Sequence, residues 1–134
     1  MKKFEINIEK QEAAHAAVVR CQGDIDAHCF DQLDDTFHRL MDEGVRYLVV
    51  DMRQVPYLSS AGIGVLIGAN SEAEERGGGF ALAGLAPEVL ETFCLMGFDS
   101  MFTLVATPEE ALKVFGSGGA GLSAVPPAES ETSS

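Results

Sequence analysis

The sequence predicts an α/β domain, a mixed β-sheet of four to five strands flanked by about four helices. Three observations carry that expectation. Two strand-like stretches open the chain and helical and strand-like stretches then alternate, the order expected of a mixed sheet covered by helices. The run Leu48-Val49-Val50 is continuously apolar, as in a strand buried on both faces. Glycines and prolines also fall where stretches must stop or start.

In order, "FEINIEK" alternates Phe4, Ile6 and Ile8 with Glu5, Asn7 and Glu9, the period-two pattern of a strand with one wet face. "HAAVVRCQG" is a second strand closed by Gly23. Asp26 is placed to cap a helix whose apolar positions, Phe30, Leu33, Phe37 and Leu40, recur at three and four residues. Gly44 ends it. "RYLVVD" follows as the buried strand. A long helix then runs from "SSAGIGVLIG" through "GANSEAEER" to a stop at Gly77, Gly78 and Gly79. "FALAG" is the next strand. Pro87 suits the first position of a helix over "PEVLETFCLMG", which Gly97 closes. "MFTLVA" is the last strand, and Thr107 to Glu110 forms a capping box for "TPEEALKVF", with Pro108 at its first position.

The chain of 134 residues suits one domain with a proper core. The domain is expected over 1–115. From Gly116 the composition turns to Gly, Ser and Pro, which bury too little to offset ordering entropy, so 116–134 is expected to be a disordered tail. The formal net charge of −12 argues against nucleic-acid binding, which needs clustered Lys and Arg. No stretch approaches the roughly 18–20 apolar residues of a membrane span, and the charged, alternating start is unlike a signal peptide. Cys21, Cys29 and Cys94 lack CxxC spacing, so buried, reduced thiols in a cytoplasmic protein are expected, without disulfide or zinc.

"VPYLSSAGIGVLIG" raises the functional question, because each glycine inside a helix costs about 1 kcal/mol relative to alanine. A nucleotide-binding loop is one explanation, yet Gly62, Gly64 and Gly68 give GxGxxxG, no Lys-Ser/Thr pair follows, and the nearest preceding cation is Arg53. A serine nucleophile is a second. Leu58 stands where the GxSxG elbow needs glycine, and the spacing of His15, His28 and His38 implies no base. Asp24, Asp26, His28 and Asp31 invite a metal, but a cap at Asp26 and a wet face at Asp31 account for them more simply. The third explanation is a modifiable hydroxyl on a contact surface. A cap needs one serine, and Ser59 and Ser60 supply two. The glycines leave a low surface for another protein, or else, Gly68 especially, let the helix lie close on its own sheet.

Three stretches taken together, "GDID", "LVVDMRQVPYLSSAGIGVLIG" and "GGGFALAGLAPEVLETFCLMGFDSMFTLVATPEEAL", resemble the STAS domain of bacterial anti-sigma-factor antagonists. The resemblance covers Phe4 to Phe115. It implies a cytoplasmic binding protein without enzymatic activity or cofactor, monomeric when free. Such a protein engages an anti-sigma factor that is also a serine kinase, is switched off when that kinase phosphorylates it, and is restored by a PP2C-type phosphatase.

Aligned on Gly62 and Gly64, the family's pattern Asp-Ser-Ser/Thr-Gly-Leu-Gly puts the phosphorylated residue at Ser60. Ser59 stands where the family has its acid, which makes it a competing acceptor, and Ala61 stands where a second hydroxyl often sits. The implied partner surface comprises Gly23, Asp26, Ser59, Ser60, Ala61, Gly62, Ile63 and Gly64, with Asp26 expected close to Ser60. The alternative within the family is a STAS scaffold or regulatory subunit of another assembly, a stress-signalling complex or a transporter, with no sigma-factor role.

Overall fold

A computed structural model of the chain describes residues 4–11, 15–25 and 29–118. Strand β1 (Glu5–Gln11) forms an antiparallel pair with β2 (Ala16–Gln22). From β2 onward the sheet is parallel, through β3 (Tyr47–Gln54), β4 (Gly79–Ala83) and β5 (Thr103–Val105), in the spatial order β1-β2-β3-β4-β5. Helices α1 (Phe30–Asp42), α2 (Ser60–Glu75) and α3 (Pro87–Leu95) connect the parallel strands, and α4 (Pro108–Gly118) follows β5.

Strand periodicity decides which side chain enters which layer. Val19, Leu48, Val50, Phe80 and Leu82 meet Leu33, Phe37 and Leu40 of α1, Leu66 and Ala69 of α2, and Phe93 of α3. Each fully buried large side chain there contributes about 1.5–3 kcal/mol. Phe37 packs edge-on against Phe80, with ring centroids 5.5 Å apart. The alternate residues, Val18, Val49, Ala81 and Ala83, face the opposite side and meet Ala111 of α4. Leu48, Val49 and Val50 are each fully buried, as expected of a strand covered on both faces.

Four local expectations need correction. The helix expected to start from an Asp26 cap begins at Phe30, with Cys29 at its N-cap and no side-chain capping bond; Asp26 and His28 lie outside the described residues. Cys21 and Cys29 are buried, but Cys94 is exposed on the wet side of α3. Burial foremost, then the negative charge of Asp51 and the neighbouring Cys29, pushes the Cys21 thiol up to about 12, so it stays protonated and unreactive near neutral pH. Strand β5 is shorter than "MFTLVA", because the N–H groups of Met101 and Phe102 both donate to Phe98 O, at 3.0 and 3.2 Å, and so close the turn of the short 3-10 helix Phe98–Ser100 instead of joining the sheet. The capping box is offset: Glu110 N–H donates to Thr107 Oγ1 at 3.2 Å, while the Glu110 carboxylate accepts from the N–H of Ala106.

Helix α4 continues to Gly118, past the boundary expected at 115, and residues 119–134, where the tail is expected, lie outside the described residues. Among the described residues no helix is long and apolar enough to cross a membrane.

Candidate docking site at the start of the second helix

Beyond the ends of β2 and β3 the two connecting loops remain paired. Gly23, at φ +103, turns the chain after β2 and donates its N–H to Gln54 O at 2.9 Å. Ile25 N–H donates to Tyr57 O at 3.0 Å, and Ser59 N–H donates to Ile25 O at 2.8 Å. Ile25 and Leu58 thus form a parallel bridge outside the strands. This pairing carries the chain directly into α2.

The two serines take different roles. Ser59 has extended backbone angles (φ −76, ψ 167), and its side-chain oxygen accepts the Gly62 N–H at 3.2 Å, an N-cap. Ser59 O accepts the N–H of Ile63 at 2.9 Å. Ser60 is the first residue of the helix and is exposed, and its hydroxyl bonds to no other described residue. It sits at the positive end of the helix dipole, and the first turn holds no acidic residue.

The glycines also divide. A Cβ on Gly62 would stand 2.7 Å from Leu58 Cδ1 and 2.8 Å from Ile25 Cγ2, so the missing side chain lets the first turn press onto the paired loops. A Cβ on Gly64 or Gly68 would meet nothing within 4 Å, and both residues are exposed. The expectation that Gly68 packs the helix onto its own sheet is therefore corrected. At helical spacing Ser60, Gly64 and Gly68 form one outward stripe. Ala61 and Ile63 are half-buried beside it.

Of the residues expected on the partner surface, Ser60 and Gly64 are exposed and Ser59, Ala61 and Ile63 are half-buried, whereas Gly23 and Gly62 are buried beneath them and Asp26 lies outside the described residues. His15 and His38 are exposed, and His38 meets Asp34 at 3.5 Å and Glu72 at 3.0 Å, far along α1 and α2 from Ser60. Among the described residues no three His, Cys, Asp or Glu side chains converge on a metal position.

Arg53, the nearest cation ahead of the glycine segment, is committed elsewhere. Its Nε donates to Asp51 Oδ1 at 3.0 Å and a terminal nitrogen donates to Oδ2 at 2.9 Å. Burial pushes the Asp51 carboxyl up, but the side-chain and backbone hydrogen bonds of Arg53, with the charges of Arg53 and Arg20, outweigh it and hold Asp51 below the ordinary carboxylate range. An Arg53 held this way does not cradle a phosphate at the α2 N-terminus.

Sequence reasoning did not single out Tyr57, which is 53% exposed just before the helix. An exposed tyrosine in a loop carries no periodic signal, so only the fold reveals that it shares a cleft with Ile63 of α2.

Comparison with known proteins agrees with the architecture. The STAS-domain family model matches residues 6–111. BtrV of Bordetella bronchiseptica, which carries the name of an anti-sigma factor antagonist, is 31% identical over 94 residues, 70% of this chain and 81% of that protein. The anti-sigma-B factor antagonist of Bacillus subtilis is 24% identical over 106 residues, 79% of this chain and 96% of its own length. The solved anti-sigma factor antagonist SpoIIAA in its unphosphorylated form superimposes with a TM-score of 0.72 at 22% identity, covering 82% of this chain and 95% of that one. The phosphorylated form of Bacillus SpoIIAA gives 0.67 at 22% identity, covering 82% of this chain and 98% of that one. By sequence pattern, strand order and family match, the chain belongs to the STAS-domain family.

Proposed function

We propose that this protein is an anti-sigma-factor antagonist, a binding protein that engages an anti-sigma factor with serine kinase activity and is switched off by phosphorylation of Ser60. The observation that carries the proposal is the division of labour between adjacent serines. Ser59 closes the helix while Ser60 presents an uncommitted hydroxyl at the head of a side-chain-free stripe. The names of the relatives above support the role, and the existence of SpoIIAA structures in both phosphorylation states supports the kind of control. In this reading the protein works in the cytoplasm, is monomeric when free, and is restored by a PP2C-type phosphatase.

Phosphate adds about −1.5 to −2 charges at neutral pH. In the free protein the helix N-terminus favours it by about 0.3–1 kcal/mol. Inside a closed interface, a partner carboxylate about 4 Å away repels it by about 4 kcal/mol per pair of unit charges at an effective dielectric near 20. That lowers affinity by about a thousandfold. Asp26, next in sequence to the paired Ile25, is proposed to contact the unmodified partner and to add to this repulsion. The second reading, a scaffold or regulatory STAS subunit of another assembly, is favoured only by Ser59 standing in place of the family's acid.

The test is incubation with the cognate kinase and ATP, followed by mass spectrometry and calorimetric binding. One phosphate on Ser60, none in Ser60→Ala, and about a thousandfold weaker binding by Ser60→Asp are expected. Labelling confined to Ser59 overturns the residue assignment, and equal binding by wild type and Ser60→Asp overturns the switch.

A further inference from the structure

Beside Ser60 the surface opens into a cleft of about 180 Å³ that none of the expectations above assigns. One wall is Tyr57 and Leu58 of the loop and Ile63 of the first turn of α2; the other is Val89 and Thr92 of α3. Phe93 is fully buried and forms the floor, while Leu58, Ile63 and Val89 are half-buried and Tyr57 stands exposed at the rim. Half-buried aliphatic side chains around a concave floor are the form taken by a pocket for an interface anchor. The size suits one side chain and falls short of the roughly 300 Å³ or more that a small-molecule or cofactor site needs.

We infer that this cleft receives a single apolar side chain of the protein that docks on the Ser60 stripe, carried next to a Lys or Arg of that partner. The inference deepens the proposed function and rests on it. Ile63 belongs to the same helical turn as Ser60, so cleft and stripe form one continuous surface. Charge selects the occupant. Among the described residues Glu88 is the only charged member of the lining, and the chain carries −12 overall. A second copy would bring its own −12 and its own Glu88 to the contact. The chain's residues 119–134 contain Glu129 and Glu131 and no Lys or Arg, so they also oppose the rim. A basic segment with an apolar tip satisfies both floor and rim.

The test uses the full chain and the serine kinase that labels Ser60. Thr92 is exposed, its hydroxyl donating only to Glu88 O at 3.0 Å on its own helix, so Thr92→Trp fills the cleft from outside without disturbing the core. Thr92→Trp is expected to weaken kinase binding about 10- to 100-fold and to raise KM for phosphorylation of Ser60 with kcat little changed. Tyr57→Ala, which removes one wall, is expected to weaken binding several-fold. Glu88→Lys is expected to weaken it at low salt and to flatten its salt dependence. Thermal melts identify any variant that has failed to fold, and the remaining variants decide.

Wild-type affinity in both Thr92→Trp and Tyr57→Ala overturns the inference while leaving the antagonist role standing. A change of oligomeric state in Thr92→Trp, or tighter kinase binding after removal of residues 119–134, overturns it in favour of a second copy or of the chain's own C-terminal segment. A wild-type protein that neither binds nor is labelled by the kinase refutes the antagonist role and this inference with it.

Discussion

Replacing Gly64 and Gly68 by alanine separates what the glycine stripe costs the fold from what it does for a partner. Both residues lie inside a helix of 16 residues, and a Cβ at either meets nothing within 4 Å. No steric term therefore opposes the gain in helix propensity, about 0.8–1.0 kcal/mol for Gly to Ala in a helix interior. Each substitution should raise the melting temperature by about 4 °C, and the pair by about twice that, since a kilocalorie is worth roughly 2–8 °C across domains of 60 to 250 residues. Gly62→Ala is the internal control. Its Cβ would stand 2.7 Å and 2.8 Å from the methyls of Leu58 and fully buried Ile25, so overpacking of about 1–3 kcal/mol cancels or exceeds the propensity gain.

Thermal melts followed by circular dichroism, with urea midpoints at constant m-value, measure all three substitutions. Binding to the kinase partner of the proposed function is then measured on the stabilised variants. The expected result is higher stability with at least tenfold weaker binding. Loss of stability in Gly64→Ala or Gly68→Ala would show that the stripe is covered within the molecule. Greater stability with unchanged affinity would show that the partner does not settle there.

Two further outcomes follow from the geometry. Ser59→Ala removes the cap and should cost about 1 kcal/mol in chemical denaturation, whereas Ser60→Ala should stay within about 0.5 kcal/mol of wild type; equal losses would mean that the hydroxyls do not divide their roles. Asp51 has a folded-state pKa depressed below 3.8, so its contribution is complete above the unfolded value and is lost as pH falls through the lower folded value. Stability measured from pH 7 down to pH 2 should therefore fall more steeply in wild type than in Asp51→Asn, which should itself cost about 1–3 kcal/mol at pH 7. Parallel curves would remove Asp51 from the acid response.

Much of the scaffold was legible because burial leaves periodic traces. Leu48-Val49-Val50 announced a strand with two covered faces, and the spacing of Leu33, Phe37 and Leu40 announced the side of α1 that meets the sheet. Helix α2 was harder to orient. Its first half, Ser60–Ala69, is small and apolar all round, so the sequence there marks an inward face only weakly, and a glycine shows nothing about whether it points to solvent. That is why Gly68 could be expected against the sheet when it faces outward. The start of α1 was misplaced for a different reason: an acidic residue before a periodic run resembles a cap, but the helix begins only at Phe30, without a side-chain cap. Cys94 misled because cysteine is most often a buried residue, and its place on the wet side of α3 depends on packing that one side chain cannot reveal. The cleft was invisible for a related cause, since Tyr57 and Thr92 become neighbours only when α3 folds back over the loop after β3.

The parallel bridge between Ile25 and Leu58 has a consequence for association. By tying one connection to another outside the sheet, it removes the loop ordering that recognition surfaces on free segments pay for when they meet a partner. In the proposed docking, the paired segments around Ile25 and Leu58 therefore meet the partner with their backbone already ordered, and for them an encounter needs little rearrangement. In the proposed switch, a surface fixed in this way responds to the chemical group at its centre without refolding of the loops that carry it.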